Sequence, residues 1–370
     1  MFCYFNLRSI LLLCALMHGV GSVWGDEFVK YSGAIVEGDY IITYPISTGY
    51  NAMNTTVSSN RLGKTLVTAK NDVVNTTDET IVWHIAPNES YWTIFNSSVA
   101  KYAGGNNKKN QAALLSSVTN YAKWTITGSS TYEFENKGRA EGSSDTSNKW
   151  LRNNGGNGYA CYSTSTGGAL TLYKRRVEPV TITSAKYATY CSTNALNFSG
   201  TGITAYKAKV ENGTVKMTEI EDGIVPANTG VILYKDVTEE TMVQVPVTAT
   251  NVTIADHELV GTTEKTLVNA MTDTKHNYIM QKSGTNIVFK KAVDGAYMPA
   301  NRAYLSTDNE SAARMYATFG ETTEITTTDI SNYTDPKDTW YVLDGRHIAN
   351  GQRPTIKGIY IVNGRKVVIK

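Results

Sequence analysis

The sequence predicts an all-β protein in three parts: a threefold-repeated N-terminal domain, a duplicated antiparallel middle domain forming a sandwich or barrel, and a small C-terminal β-hairpin domain. Three observations predict it. The composition favours strands and turns over helices, with 23 Tyr and 30 Gly beside abundant Thr, Ser and Asn and only 18% charged residues. Strand-like segments recur at near-constant spacing in the first half of the chain. A second motif, built on Pro-Ala-Asn, recurs in the second half. The length of 370 residues allows two or three domains, each able to bury a core.

The chain opens with Arg8, the apolar run Ile10 to Met17 and small residues around Gly21, Ser22 and Gly25. That order reads as a secretory leader, residues 1–25, cut near Gly25 or Asp26. The run is too short to span a bilayer, and no later apolar stretch approaches the ~18 residues a crossing needs, so no transmembrane helix is expected. Leu13 stands before Cys14 where a lipid-attachment signal carries a small residue. Loss of the leader leaves Cys161 and Cys191, either bridged in an oxidising compartment or simply buried as small apolar side chains. A net charge of +2 gives no broad basic excess, so no nucleic-acid partner is expected.

Residues 27–176 carry the first repeat. Ile81 to Ala86 ("IVWHIA") and Ala122 to Thr127 ("AKWTIT") superpose with Trp83 and Trp124 spaced by 41 (124 − 83), and "ALTLYK" from Ala169 is the third strand of this kind. Opening strands precede them: "DYIITY" from Asp39, "YWTIFN" from Tyr91 and "TYEFEN" from Thr131. Three such units, none able to bury its apolar face alone, predict a β-trefoil-like domain closed around a pseudo-threefold axis. With "STGYNAM" after the first strand, the region resembles the ricin-type lectin trefoils. It departs from them where they carry Gln-x-Trp, having "IVW" and "AKW". The resemblance implies a trefoil fold and, more distantly, sugar binding.

Residues 179–320 carry the duplication. "DGIVPANTGVILY" from Asp222 matches "DGAYMPANRAYLS" from Asp294, with Pro226 and Pro299 spaced by 73 (299 − 226). Ahead of each lies a hairpin signal, "ENGT" and "KSGTN", between alternating apolar strands. The segment 321–338, rich in Thr and Asp, reads as a solvated linker.

Residues 339–370 form the tail. Strands "IYIV" and "RKVVIK" flank Asn363-Gly364, a type I′ turn signal, and from Trp340 onward six Lys or Arg stand against Asp344 alone. The run "WYVLDGR", then a Pro, then "KGIYIVNGRKVVIK", with Gly358, Tyr360, Asn363, Gly364, Lys366 and Lys370 at the matching positions, resembles the C-terminal sorting tails of Bacteroidota surface proteins of the type IX secretion kind. The resemblance implies export to the cell surface or medium and an outer-membrane export machinery as partner. "KYATYCSTNALNFSG" in the middle segment is similar to accessory β-domains of secreted proteins of that phylum.

No catalytic constellation emerges. His84, His257, His276 and His347 are isolated from one another, and neither H-E-x-x-H, C-x-x-C nor G-x-S-x-G occurs. Asp222 reads as a turn residue bonding its own backbone rather than an acid catalyst. No cofactor or metal is called for. Nine N-x-S/T triplets, Asn54 and Asn96 among them, follow from the Asn, Ser and Thr content. The candidate site is "KWLRNNGGNGYACY" from Lys149, where Trp150, Tyr159 and Tyr162 offer aromatic faces and Arg152, Asn153 and Asn154 offer hydrogen bonds to sugar hydroxyls. "KYAGGNNKKN" from Lys101 is a second, weaker loop of the same type. Together these predict a non-enzymatic exported protein that binds a glycan or a host surface component through its N-terminal domain. The alternatives are a purely structural or adhesive surface protein and an accessory module of a secreted hydrolase system.

Overall fold

The computed structural model describes residues 25–142, 146–283, 286–309, 313–319, 339–342, 347–350, 354, 358–362 and 365–369. The predicted leader, apart from Gly25, and the predicted linker 321–338 lie outside the described residues, as do Asn363, Gly364 and Lys370 of the tail.

The architecture is all-β and mostly antiparallel, spread over one large sheet and several smaller ones. Among the described residues the one α-helix is the single turn Lys137–Glu141. Alternation decides which face is buried: along Tyr132–Asn136, Tyr132, Phe134 and Asn136 point inward while Glu133 and Glu135 point out.

In the first part, six strands form a near-closed barrel. Gly38–Ile46 pairs with Val82–Asn88, which pairs with Tyr91–Asn96. That strand meets Trp124–Gly128 at Trp92, and Trp124–Gly128 pairs with Tyr132–Asn136. The bridge from Tyr132 to Leu170 and the pairing of Thr171–Arg175 with Gly38–Ile46 complete the ring. Between each opening and closing strand lies a hairpin: Gly49–Ser58 with Arg61–Val67, Lys101–Gly105 with Ala112–Leu115, and Trp150–Asn153 with Tyr159–Tyr162.

Equivalent residues hold the units in equivalent ways. Trp83 and Trp124, both fully buried, donate their indole N–H to the carbonyls of Met53 and Ala103 at 2.8 and 3.0 Å. Burying such a ring contributes about 3 kcal/mol, provided its polar edge finds an acceptor as here. Leu170 takes the matching place in the third unit, pairing with Tyr132 as Trp83 pairs with Tyr40 and Trp124 with Trp92. Asn96 and Asn136 end their strands fully buried, and each amide donates to backbone carbonyls in or beside a short 3-10 turn, Glu79 and Val82 for Asn96 and Tyr121 for Asn136. This burial, with Asn54 only 8% exposed, also removes two of the N-x-S/T triplets from any modification of the folded chain.

The second part repeats a pairing pattern. Tyr187–Tyr190 pairs with Val231–Tyr234, which pairs with Thr204–Glu211, itself paired with Thr214–Glu219. Leu259–Thr262 pairs with Arg302–Thr307, which pairs with Lys275–Ser283, itself paired with Asn286–Lys291. The two runs join through Arg314–Phe319, which lies parallel to Thr214–Glu219 and antiparallel to Asn286–Lys291. Turn chemistry explains the residues that recur. Asn212 and Gly213 both have positive φ, 49° and 75°, as a two-residue type I′ turn requires, and Asn228 and Asn301 occupy the left-handed region at 59° and 57°. Asp222 accepts a hydrogen bond from Ile224 N at 2.9 Å, the turn role expected for it.

The two parts share a seam. Gly25 and Asp26 pair with Ala249 and Thr248, Glu27 N donates to the Val247 carbonyl at 2.8 Å, and Val247 N donates to the Arg176 carbonyl at 2.9 Å. Cys161 and Cys191 are both buried free thiols in separate surroundings, beside Gly105 and beside Gly261. Burial raises the Cys161 thiol to about 12 and Cys191 to about 11. Among the described residues no disulfide joins the parts.

In the tail, Thr339–Val342 lies between His347–Asn350 and Gly358–Val362, and the last of these pairs with Arg365–Ile369. Val362 faces Arg365, so two residues connect these strands. Buried Trp340 and Tyr360 meet edge to face at 6.4 Å.

Candidate functional site

The sequence-predicted site residues all lie on or beside the hairpin Trp150–Asn153 and Tyr159–Tyr162. They divide between interior and surface. Tyr159 and Tyr162 are 0% and 2% exposed. Their hydroxyls are engaged inside the protein: Tyr159 donates to the Asn51 carbonyl, and Tyr162 accepts from Arg61 Nε at 3.0 Å. Neither ring can present a face to a ligand, because all four positions of Tyr159–Tyr162, which alternate between the two sides of the strand, are buried. Asn153 is buried too, its Oδ1 accepting from Asn51 Nδ2 at 3.1 Å.

Trp150 is half-buried and is the aromatic face that this segment offers. Lys149 Nζ stands 5.4 Å and the Arg152 guanidinium 5.8 Å from its ring centroid. Both cations are held from the adjacent strand Tyr132–Asn136, Lys149 by Glu135 at 2.6 Å and Arg152 by Glu133. Asn154 is half-buried, and beyond it residues 155–157 project into solvent. An added Cβ at Gly155 or Gly156 would meet nothing within 4 Å. Lys64 donates to the Gly155 carbonyl and steadies this tip.

In the weaker loop, Gly104 and Gly105 are packing residues, since a Cβ there would strike Leu115 and Asn136. Lys108 and Lys109 at its tip are exposed. The surface aromatics that sequence reading missed are Tyr297 and Tyr316 of the second part, 60% and 47% exposed, each with a cation over its ring (Lys265 at 4.5 Å, Arg314 at 5.4 Å). Both lie in strands whose period-2 pattern gave no sign of which face was free.

A separate polar network lies at the seam. Arg175, 10% exposed, binds Asp26, Asp39 Oδ2 at 3.1 Å and Glu79 at 3.3 Å. Asp26 also accepts from Asn197 Nδ2 at 3.0 Å. Beyond Asp39, His84 reaches Asp39 at 2.8 Å and Glu37 at 3.5 Å. The hydrogen bond to Asp39, opposed by partial burial, holds the His84 pKa above the ordinary histidine value. Burial would raise Asp39, but the bonds to His84 and Arg175 win and hold it below the carboxylate range. A groove of about 420 Å³ opens beside this network, lined by Asp26, Thr76, Glu79, Asn197, Thr248 and Asn251. Its carboxylates are already committed to Arg175, so its chemistry is that of a joint between parts.

Among the described residues, no group of three or more His, Cys, Asp or Glu is placed to hold a metal. None of their helices is long and apolar enough to cross a membrane.

No protein-family model matches the chain, and no curated relative matches it. Solved structures with some likeness include the Polyporus squamosus lectin bound to the human-type influenza-binding epitope Neu5Acα2-6Galβ1-4GlcNAc, at 14% identity and a TM-score of 0.27 over 42% of this chain and 53% of that one. A mosquitocidal holotoxin is similar at 11% identity and a TM-score of 0.28 over 84% of this chain and 37% of that one. The chain thus spans about half the lectin and little more than a third of the toxin.

Proposed function

We propose that this is an exported, non-enzymatic surface protein whose N-terminal domain, residues 27–176, is a β-trefoil-like glycan-binding module. The observation that carries the reading is the Trp150 edge. A half-buried indole sits between two cations held by acids, beside an amide-rich loop that projects into solvent. Such a face suits the C–H side of a sugar ring, with Asn154 and Lys149 as the groups to bond its hydroxyls. In this reading Arg152 and Asn153 position Trp150 and the loop, while Tyr159 and Tyr162 build the floor. The trefoil reading is supported by the threefold recurrence of opening strand, hairpin and closing strand, with Trp83, Trp124 and Leu170 at one repeated position. Histidines that are scattered among structural contacts favour binding over catalysis.

The second part, 179–320, is read as a duplicated β-domain that spaces this module from 321–338 and the tail 339–370. The tail, with its paired strands Gly358–Val362 and Arg365–Ile369, is the proposed sorting element. A glycan array probed with the full chain and with Trp150→Ala tests the binding reading. Binding that is lost in the variant supports it, and no binding to any glycan refutes it. Deletion of 339–370 tests the sorting reading: retention in the periplasm is expected, and unchanged surface display refutes it.

A further inference from the structure

The three hairpins of the first part differ from the rest of the chain in charge. Segments 49–67, 101–115 and 150–162 contain Arg61, Lys64, Lys101, Lys108, Lys109 and Arg152 and not one Asp or Glu. At the average of 33 acids in 370 residues, these 47 residues (19, 15 and 13) would carry about four. A nearly neutral protein thus concentrates positive charge on three segments that are far apart in sequence.

The fold brings those segments together and locks them. Ala112 N donates to the Asn60 carbonyl at 2.8 Å, Asn110 N to the Cys161 carbonyl at 3.1 Å and Cys161 N to the Gln111 carbonyl at 3.2 Å. Arg61 bonds Tyr162, Lys64 bonds Gly155, and Leu62 lies opposite Tyr159. Arg61, Lys64, Lys108 and Lys109 therefore sit on one pre-organised set of hairpin tips, while Arg152 is buried and Lys101, bonded to Ser116, lies at the base of its hairpin. Lys108 and Lys109 are exposed and, like Arg61 and Lys64, make no ion pair with a described residue. Arg152 alone of the six is neutralised, by Glu133. Between the cations stand amides, with Asn60, Asn107 and Asn157 exposed.

From this we infer that the hairpin end binds an anionic polysaccharide, one bearing sulfate or uronate groups, laid across all three hairpins. The inference rests on the glycan-binding reading above and adds the chemical class. Spread point charges with interleaved amides match a chain that alternates acidic groups and hydroxyls. A single-stranded nucleic acid stacks successive bases on exposed rings, whereas in these three segments Tyr50, Tyr102 and Trp150 are half-buried and Tyr159 and Tyr162 are buried.

The test uses the full chain with immobilised heparin, polygalacturonate, neutral dextran, poly(dT) and vesicles of mixed phosphatidylglycerol and phosphatidylcholine. The expected result is binding to heparin or polygalacturonate and not to dextran, weakened about tenfold or more between about 50 and 500 mM salt. Lys108→Glu with Lys109→Glu, at an exposed loop tip that carries no packing, should weaken it at least as much. The control Lys275→Ala with Lys290→Ala, on exposed sites of the second part, should not. Binding to neutral sugars that is indifferent to salt and to the Lys108/Lys109 variant would overturn this inference and leave the glycan reading standing. Absence of binding to any polysaccharide would overturn both. Stronger binding to poly(dT) or to the anionic vesicles than to either polysaccharide would overturn the choice of ligand class.

Discussion

Replacing Arg175 by Met tests whether the seam between the first two parts is held electrostatically. The guanidinium is 10% exposed and the Asp26 side chain 8%, so this pair is buried, whereas Asp39 and Glu79 are 36% and 47% exposed and can rehydrate. Removing one member of a buried pair leaves the other charge uncompensated, at a cost of about 3–5 kcal/mol. The two exposed partners add about 0–1 kcal/mol each. Met keeps part of the contact that Arg175 makes with the Phe28 ring, at 4.8 Å, so packing loss is small. For a unit of about 150 residues, 1 kcal/mol corresponds to about 2–4 °C in Tm, so a total loss of about 3–7 kcal/mol gives an expected fall of about 6–28 °C. Tryptophan fluorescence reports this unit well, because Trp83, Trp92, Trp124 and Trp150 all belong to it. Adding Asp26→Asn should recover most of the loss, since the stranded carboxylate is then gone. A single variant that loses less than about 1 kcal/mol, or a double variant no more stable than the single, would refute the argument.

Three further outcomes are expected. Asn96→Ala leaves the carbonyls of Glu79 and Val82 without their donor in a fully buried place, and should cost about 2–3 kcal/mol by chemical denaturation; Asn136→Ala should cost a similar amount if the two positions are equivalent. His84 has a raised folded pKa, so its contribution is complete below the ordinary value of 6.5 and fades as pH rises through the folded value. With 42% of the side chain exposed the effect is small, under about 1 kcal/mol, and His84→Gln should flatten a slight decline of Tm above pH 6.5. A thiol reagent at pH 8 should leave Cys161 and Cys191 unmodified in the folded chain and label both after unfolding, as two buried thiols raised to about 12 and 11 require. Labelling of neither after unfolding without reductant would indicate a Cys161–Cys191 bond that the structure does not contain.

Local chemistry made much of this protein legible. The all-β class follows from alternation such as Tyr132–Asn136, where each second residue is apolar or carries a capping amide, and the structure bears it out. The turn at Asn212-Gly213 was readable because only residues tolerant of positive φ fit it. The site was read less well. Trp150 and Asn154 reach the surface, but Tyr159 and Tyr162 do not, because a hairpin with both faces covered looks in sequence like one with a single covered face. His84, isolated in the sequence, is half-buried in an ion-pair network in which Arg175 and Asp26 stand 149 residues apart in the chain.

Period, turn type and composition, which depend on neighbours within a few residues, were determined by the sequence alone: strands rather than helices, repeats at about 40 and 73 residues, and a paired terminal hairpin. Partnership across the chain was decided only by the tertiary structure. The acid-free hairpins lie at 49–67, 101–115 and 150–162, and nothing local says that their tips share backbone hydrogen bonds at one end of a barrel. Charge on a strand is a property of residues, but a charged surface is a property of which strands meet. That meeting is set by burial of Trp83, Trp124 and Leu170 around a common core, which no single unit can achieve.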